Sequence, residues 1–310
     1  MTRARDDAFI RAMPVVFVLI WSTGFIVARF GMPHAPPMAF LAWRYFFSIL
    51  CFLPWIWLAR VKWPQGRAQW RHLAVTGVLM HAIYLGGVWA AVKMGMGSGL
   101  SSLIVGLQPV LTALWLAGVG STVSKRQWVG LALGFLGLVM VVSRKFGAGG
   151  EATWLNLSMA VAALAGITAG TLYQKRFVAP CDVRTANVVQ LGAALLATLP
   201  MTLLENEPVQ WTTQLAGAMA WSVLALTLGG SSLLYLLIQR GAAASVTSLM
   251  YLVPPVTAFI AWVLFDEAIT AVTVAGTVIT ALGVSLVVRA PKARGLVSAT
   301  IQVLRNSRRK

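Results

Sequence analysis

Apolar residues fall in ten long runs, at 12–30, 37–59, 72–92, 98–119, 127–143, 155–174, 185–204, 215–238, 243–265 and 270–288, with short polar connections between them. A helix needs about 20 apolar residues to cross the hydrocarbon core of a bilayer. The pattern therefore predicts an all-α membrane protein of ten transmembrane helices. The run that opens at Met13 follows basic residues, as a signal peptide would. No small-residue cleavage pattern comes after it and more runs follow, so it reads as an uncleaved first helix.

The polar connections carry the orientation. With the N-terminus in the cytoplasm, the inside segments hold twenty Lys and Arg residues, while the outside loops hold only Lys93, Arg144 and Lys145. Cytoplasmic loops are enriched in Lys and Arg, so both termini are expected in the cytoplasm, which requires an even number of spans. Composition adds the class of protein: 58% of residues are hydrophobic and 11% charged, against about 25% charged in a soluble domain. The net charge of +17 lies in the connections and the tail, not on one soluble face, which excludes a nucleic-acid footprint. Cys51 falls in a span and Cys181 in a connection, so neither a disulfide framework nor a metal pair is implied.

A second pattern lies on top of the first. Shifted by 146 residues, the chain aligns with itself without a gap: Gly24 falls on Gly170, Arg29 on Lys175, Pro54 on Pro200, Gly95 on Gly241, Ser102-Leu103 on Ser248-Leu249, Pro109-Val110 on Pro255-Val256, Gly130 on Gly276 and Gly137 on Gly283. Each half holds five spans. Five is odd, so the second half enters the membrane from the opposite side and the two repeats are inverted. That design recurs in secondary transporters, with the substrate site near the midplane between the repeats.

Candidate chemistry is sparse. All eight acidic residues, Asp6, Asp7, Glu151, Asp182, Glu205, Glu207, Asp266 and Glu267, lie outside the spans. Ion-driven transporters commonly hold a carboxylate within the membrane, so facilitated diffusion or exchange is expected rather than sodium or proton coupling. The spans also lack an H-E-x-x-H motif and a Ser-His-Asp set, which argues against a membrane enzyme. No cofactor and no metal are expected.

Polar residues within the spans form the candidate site. In the fourth span Ser98, Ser101, Ser102, Gln108 and Thr112 recur around Pro109, and at the repeat offset Thr247, Ser248 and Tyr251 precede Pro254-Pro255. Such a face lines a water-filled cavity, or serves as packing glue between helices. His81 lies about 13 Å into the third span at 1.5 Å per residue, three residues from Tyr84. A histidine at that depth is a functional candidate, unless its imidazole only bonds a neighbouring helix. Trp21, beside Ser22 and Thr23 in the first span, is a cavity wall or core packing, and Thr168 and Thr171, with Tyr173 and Gln174, are the candidates of the sixth. Arg29 and Arg44, near the outer ends of spans one and two, read as snorkelling cations, with a carboxylate-attracting rim as the alternative. Gly130, Gly134 and Gly137, and Gly276, Thr280 and Gly283, are small faces suited to packing the fifth span on the tenth. No feature calls for an oligomer, and a monomer is expected.

These residues lead to a family. Trp21-Ser22-Thr23-Gly24-Phe25 ending in Arg29, Pro36-Pro37, Arg44-Tyr45-Phe46, and the stretches Gly95 to Pro109 and Gly130 to Gly137 resemble an EamA domain, with a second copy over 158–290. The resemblance implies the drug/metabolite transporter superfamily (the EamA/DMT fold), in which helices 1, 3, 4, 6, 8 and 9 line a central cavity. The eighth span contributes only Ser231, Ser232 and Tyr235. The organisation implied is a cytoplasmic segment 1–11, repeats at 12–144 and 155–290, an external linker 145–154 and a basic tail 291–310. Trp21, His81 and Tyr84 are most similar to the YddG-type bacterial exporters of aromatic amino acids. The expectation is an inner-membrane, alternating-access exporter of amino acids, aromatic and other neutral ones, whose cavity is walled by Trp21, His81, Tyr84, Ser101, Gln108, Thr168 and Tyr251 and holds the zwitterion without fixed charges. Multidrug or other metabolite efflux is the alternative.

Overall fold

A computed structural model describes residues 2–118, 123–146, 151–230, 232–233 and 252–288, which are helical apart from the connections. The helices are α1 (Thr2–Gly31), α2 (Pro37–Leu58), α3 (Arg67–Gly77), α4 (Tyr84–Lys93), α5 (Ser98–Val105), α6 (Gln108–Gly118), α7 (Lys125–Lys145), α8 (Trp154–Phe177), α9 (Val183–Thr202), α10 (Thr213–Trp221), α11 (Val253–Phe265) and α12 (Ala271–Val288). Two π-helical segments interrupt this order. π1 (Val78–Ile83) joins α3 to α4, and π2 (Ser222–Gly230) continues α10. Among the described residues, six stretches are long and apolar enough to cross a membrane, at 37–58, 67–93, 98–115, 125–145, 154–177 and 183–202, with shorter apolar helices at 15–31, 253–265 and 271–287. The parts of the eighth and ninth predicted spans at 234–251 lie outside the described residues.

The helices start and stop where their ends find partners. Ser124 with Gln127, and Thr153 with Asn156, close capping boxes on α7 and α8, while Asp182 and Thr212 cap α9 and α10. Asp266 adopts a left-handed conformation (φ 52°) and ends α11. Many large apolar side chains point outward, among them Trp57, Leu58, Phe135, Leu203, Leu204 and Phe259. In water such a belt would be an aggregation hazard; in a bilayer it is the lipid-facing surface.

Connections gather at two ends. One is acidic. Glu205, after α9, accepts hydrogen bonds from the Met38 and Ala39 amides at the start of α2 (2.8 and 2.9 Å). Glu267, after α11, accepts from the Ser98 and Gly99 amides at the start of α5 (2.9 and 3.3 Å) and pairs with Arg29 (3.1 Å). Glu207 pairs with Lys93, and Glu151 with Lys145. Carboxylates at helix N-termini satisfy orphan amides and complement the helix dipole. Here two of them, Glu205 and Glu267, tie residues after 200 to the starts of α2 and α5, and Glu207 ties to the end of α4.

At the opposite, basic end the connections 59–66 and 178–182 meet. Gln69 donates to the Ala179 carbonyl (2.7 Å), and His72 bonds Tyr173 (2.8 Å). A cavity of about 510 Å³ opens there, lined by Lys62, Trp63, Gln69, Cys181, Asp182 and Arg184 among others. Hydrogen bonds from Arg184 hold the Asp182 carboxyl below the usual carboxylate range, and burial pushes the Cys181 thiol up.

α7 and α12 form the most extensive helix pair, and glycines make it. A methyl added at Gly130 would lie 2.6 Å from the Gly283 carbonyl oxygen, and one at Gly276 would lie 2.8 Å from the Gly137 carbonyl. Between them, the Thr280 hydroxyl reaches the Gly134 carbonyl (3.5 Å) and its own Gly276 carbonyl (2.8 Å). No side chain larger than hydrogen fits at Gly130, Gly137, Gly276 or Gly283 without parting the helices.

Candidate functional site

The two π segments organise the interior. A π turn bonds i to i+5, widening the helix and shifting which side chains face inward. π1 lies at 78–83 and π2 at 222–230, so the 146-residue offset lays π1 inside π2. π1 is entered by close helix contact. At Gly77, ahead of π1, an added methyl would lie 2.6 Å from Gln190 Cα on α9.

π2 holds Thr227. Its hydroxyl donates to the Ser222 carbonyl five residues back (2.9 Å) and accepts from Arg44 Nε on α2 (3.2 Å). Arg44 is 7% exposed. It does not snorkel, as its place near a helix end suggests. It sits about 10 Å along α2 at 1.5 Å per residue and points into the protein, because α2 packs against π2 rather than against lipid on that face. Arg44 is thus a fixed charge buried among the helices. Arg29 is not a free snorkelling cation either: it is held by Glu267 and lies over the Phe265 ring, 5.2 Å from its centroid.

π1 holds His81. The Tyr45 hydroxyl donates to the His81 carbonyl (2.8 Å), the two rings meet edge-on at 6.0 Å, and α9 packs against π1 around Gln190. Tyr84 follows at the first residue of α4, buried in the same cluster as Tyr45. The three-residue spacing that would align His81 with Tyr84 on an α-helix does not hold through π1; Tyr45 joins them instead, bonded to the His81 carbonyl and packed in one cluster with Tyr84. Trp21 packs with Phe17 (5.2 Å between rings) against the cluster that contains Tyr45, Tyr84 and Leu226.

The other expected wall residues part ways. Gln108 opens α6 and donates to the Thr171 hydroxyl on α8 (2.9 Å), an accessible polar pair. The Thr168 hydroxyl is buried and bonds its own Leu164 carbonyl (2.7 Å), as helical threonines do. Ser101 is fully buried, and its hydroxyl has no partner among the described residues. Tyr251, Thr247, Ser248 and Tyr235 lie outside the described residues. None of Trp21, His81, Tyr84, Ser101, Gln108 or Thr168 lines the cavity at the basic end.

Two residues that reading the spans passes over, Gln190 and Thr227, complete the interior cluster, and the offset contained the signal. Arg44 shifts onto Gln190, and His81 onto Thr227. The positions of the pair Arg44–Thr227 thus have their counterparts in Gln190 and His81, and α9 packs on π1 as α2 packs on π2.

Comparison with known proteins assigns the class. The EamA-like transporter family matches the chain twice, over 12–143 and 154–289. The chain belongs to this family and is a membrane transporter for a small-molecule substrate, not an enzyme. A probable amino-acid metabolite efflux pump of Salmonella typhimurium is 24% identical over 293 residues, 90% of this chain and 94% of that protein. The uncharacterized inner membrane transporter YedA of Escherichia coli K12 is 24% identical over 258 residues, 81% of each chain. A crystal structure of another protein shares the fold, with a TM-score of 0.65 at 16% identity over 90% of this chain and 97% of that one.

Proposed function

We propose that the protein exports amino acids, aromatic and other neutral ones, across a bacterial inner membrane, through one central site exposed alternately by two inverted five-helix halves, 12–144 and 155–290. The observation that carries the inversion is the exchange of contacts across α7 and α12. Gly130 meets Gly283 and Gly137 meets Gly276, while Thr280 meets Gly134 146 residues away. Partners that exchange in this way are the mark of a two-fold axis, and the antiparallel order of the pairs puts that axis across the helices. The amino-acid reading is supported by the name of the Salmonella relative and by an interior that offers a guanidinium, hydroxyls, an amide and an imidazole beside Trp21, Tyr45 and Tyr84. The site is placed around the π segments, with Trp21, His81 and Tyr84 retained from the sequence and Gln108 at its accessible edge. Tyr251, Ser101 and Thr168 remain proposed wall residues of other conformations, since a change of access repacks the helices that hold them.

Exchange or facilitated diffusion is the proposed coupling. The four glutamates at the acidic end are bonded to amides or cations, and no acidic residue of the chain lies in a span. The test is counterflow in proteoliposomes. Vesicles preloaded with neutral amino acids are expected to accumulate labelled phenylalanine transiently without sodium or an imposed pH gradient. If no amino acid of a full panel moves, the substrate reading is wrong. If a pH gradient drives uphill accumulation and His81→Ala abolishes it, the coupling reading is wrong. A cysteine placed at Asn206 and reached by impermeant reagents only from the cytoplasm would sink the inversion.

A further inference from the structure

The interior holds a cation without an acid. Arg44 is 93% buried by its 7% exposure, and its one hydrogen bond among the described residues is to the neutral Thr227 hydroxyl. The chain has eight acidic residues in all. Asp6 and Asp7 precede the first apolar run; Glu151, Glu205, Glu207, Asp266 and Glu267 stand at the acidic end; and Asp182 caps α9 at the basic end, bonded to Arg184. None is available to neutralise Arg44 where it sits.

Charges inside a membrane protein are paired, coordinate an ion, or face the pathway of a charged solute. A guanidinium also presents five N–H donors in a planar fork that matches a carboxylate. The surroundings add donors rather than acceptors. Ser48 lies one turn along α2 on the same face, and Ser222 gives its carbonyl to Thr227; both are fully buried, and neither hydroxyl has a partner among the described residues. The Tyr45 hydroxyl is committed to the His81 carbonyl. The cluster therefore carries one fixed positive charge and unused hydroxyl donors, and what it lacks is an anion.

We propose that Arg44 is the residue that recognises the carboxylate of the transported solute, with Thr227 holding the guanidinium in orientation and Ser48 as an added donor. The counterpart positions, Gln190 and His81, take the remainder of the solute. The solute class is a monocarboxylate with an apolar or aromatic body. This inference rests on the amino-acid reading above but asks for less: it requires the carboxylate and not the ammonium group.

Three probes separate the two. Phenylalanine carries both charges, phenylalaninamide lacks the carboxylate, and 3-phenylpropionate lacks the ammonium group. Binding to the purified full-length protein, read by calorimetry and by ligand-induced thermal shift, is expected to favour phenylalanine over phenylalaninamide by about tenfold or more, since a site built to pair a charged group rejects the analogue without it. In Arg44→Gln that ratio should fall towards one, and Arg44→Lys should restore part of it, which a purely structural role for the side chain would not produce. Thr227→Ala, which keeps the cation, should lower the ratio severalfold and keeps the test decisive where Arg44→Gln does not fold. Equal binding of phenylalanine and its amide by the parent protein, or a ratio unchanged in Arg44→Gln, overturns the assignment while the amino-acid reading stands. Arg44-dependent binding of 3-phenylpropionate with none of phenylalanine upholds the assignment and overturns the amino-acid reading. Binding of none of the three overturns both.

Discussion

At π2 a guanidinium from α2 reaches a hydroxyl, and at π1 α9 brings Gln190 against the segment that holds His81. The two places are equivalent under the 146-residue shift, share the same widened backbone, and are each built from one residue of either half. They differ in charge. The deformation of the helix is common to both, so it belongs to the architecture; the cation stands on one side alone, so it belongs to the solute. A cavity between two related halves would otherwise be as symmetric as its walls, and an asymmetric solute would find two equal poses. A single fixed charge at one break removes that degeneracy.

The comparison can be broken most severely at Arg44. Arg44→Leu should lower uptake of carboxylate substrates about 10- to 150-fold, the range that one charged hydrogen bond of 1.5–3 kcal/mol covers. Thermal stability should hold or rise, because an apolar isostere relieves the burial of an unneutralised charge. Uptake and melting temperature measured on one preparation check both halves of the statement. Next in size is the exchange Arg44→Gln with Gln190→Arg, which moves the cation to the equivalent place. Recovery to within about tenfold of the parent, one charged contact's worth, is expected from initial rates; a double variant no better than Arg44→Gln alone would show that the breaks are not interchangeable. Smallest is Gln190→Ala, which removes an uncharged amide proposed to bond the solute and should reduce transport about two- to tenfold, one neutral hydrogen bond's worth. A loss as large as that of Arg44→Leu would mean that the neutral pair, not the cation, anchors the solute.

Much of the fold was readable because bilayers make it so. Apolar runs mark helices, and the glycines at 130, 137, 276 and 283 mark where α7 and α12 meet, since only a missing side chain permits that approach. The site was readable in part. His81, Tyr84 and Trp21 stand out by depth and do share one region, but depth says nothing of facing. Thr168 looks like a wall residue and instead closes on its own helix. Arg44 lies two turns from a helix end, where hydropathy predicts a rim, and only the packing of α2 against π2 turns it inward. Thr227 is unremarkable among apolar neighbours, and no sequence period announces a π turn. The residues that were missed were findable by their partners: a cation and a histidine that fall, 146 residues on, upon an amide and a hydroxyl.

The contact of Thr280 with Gly134 joins a residue to its own counterpart, and it supplies a molecular ruler. If the halves trade conformations when access changes, a pair of positions 146 apart keeps its separation, because the trade only exchanges the names of its ends. Pairs that are not counterparts behave otherwise. The distance from position 44 to 227 becomes that from 190 to 81, and the reverse. Spin labels at 134 and 280 would then report a single distance in both access states, while labels at 44 and 227 and at 190 and 81 would swap their values, so one stationary span calibrates the two that move.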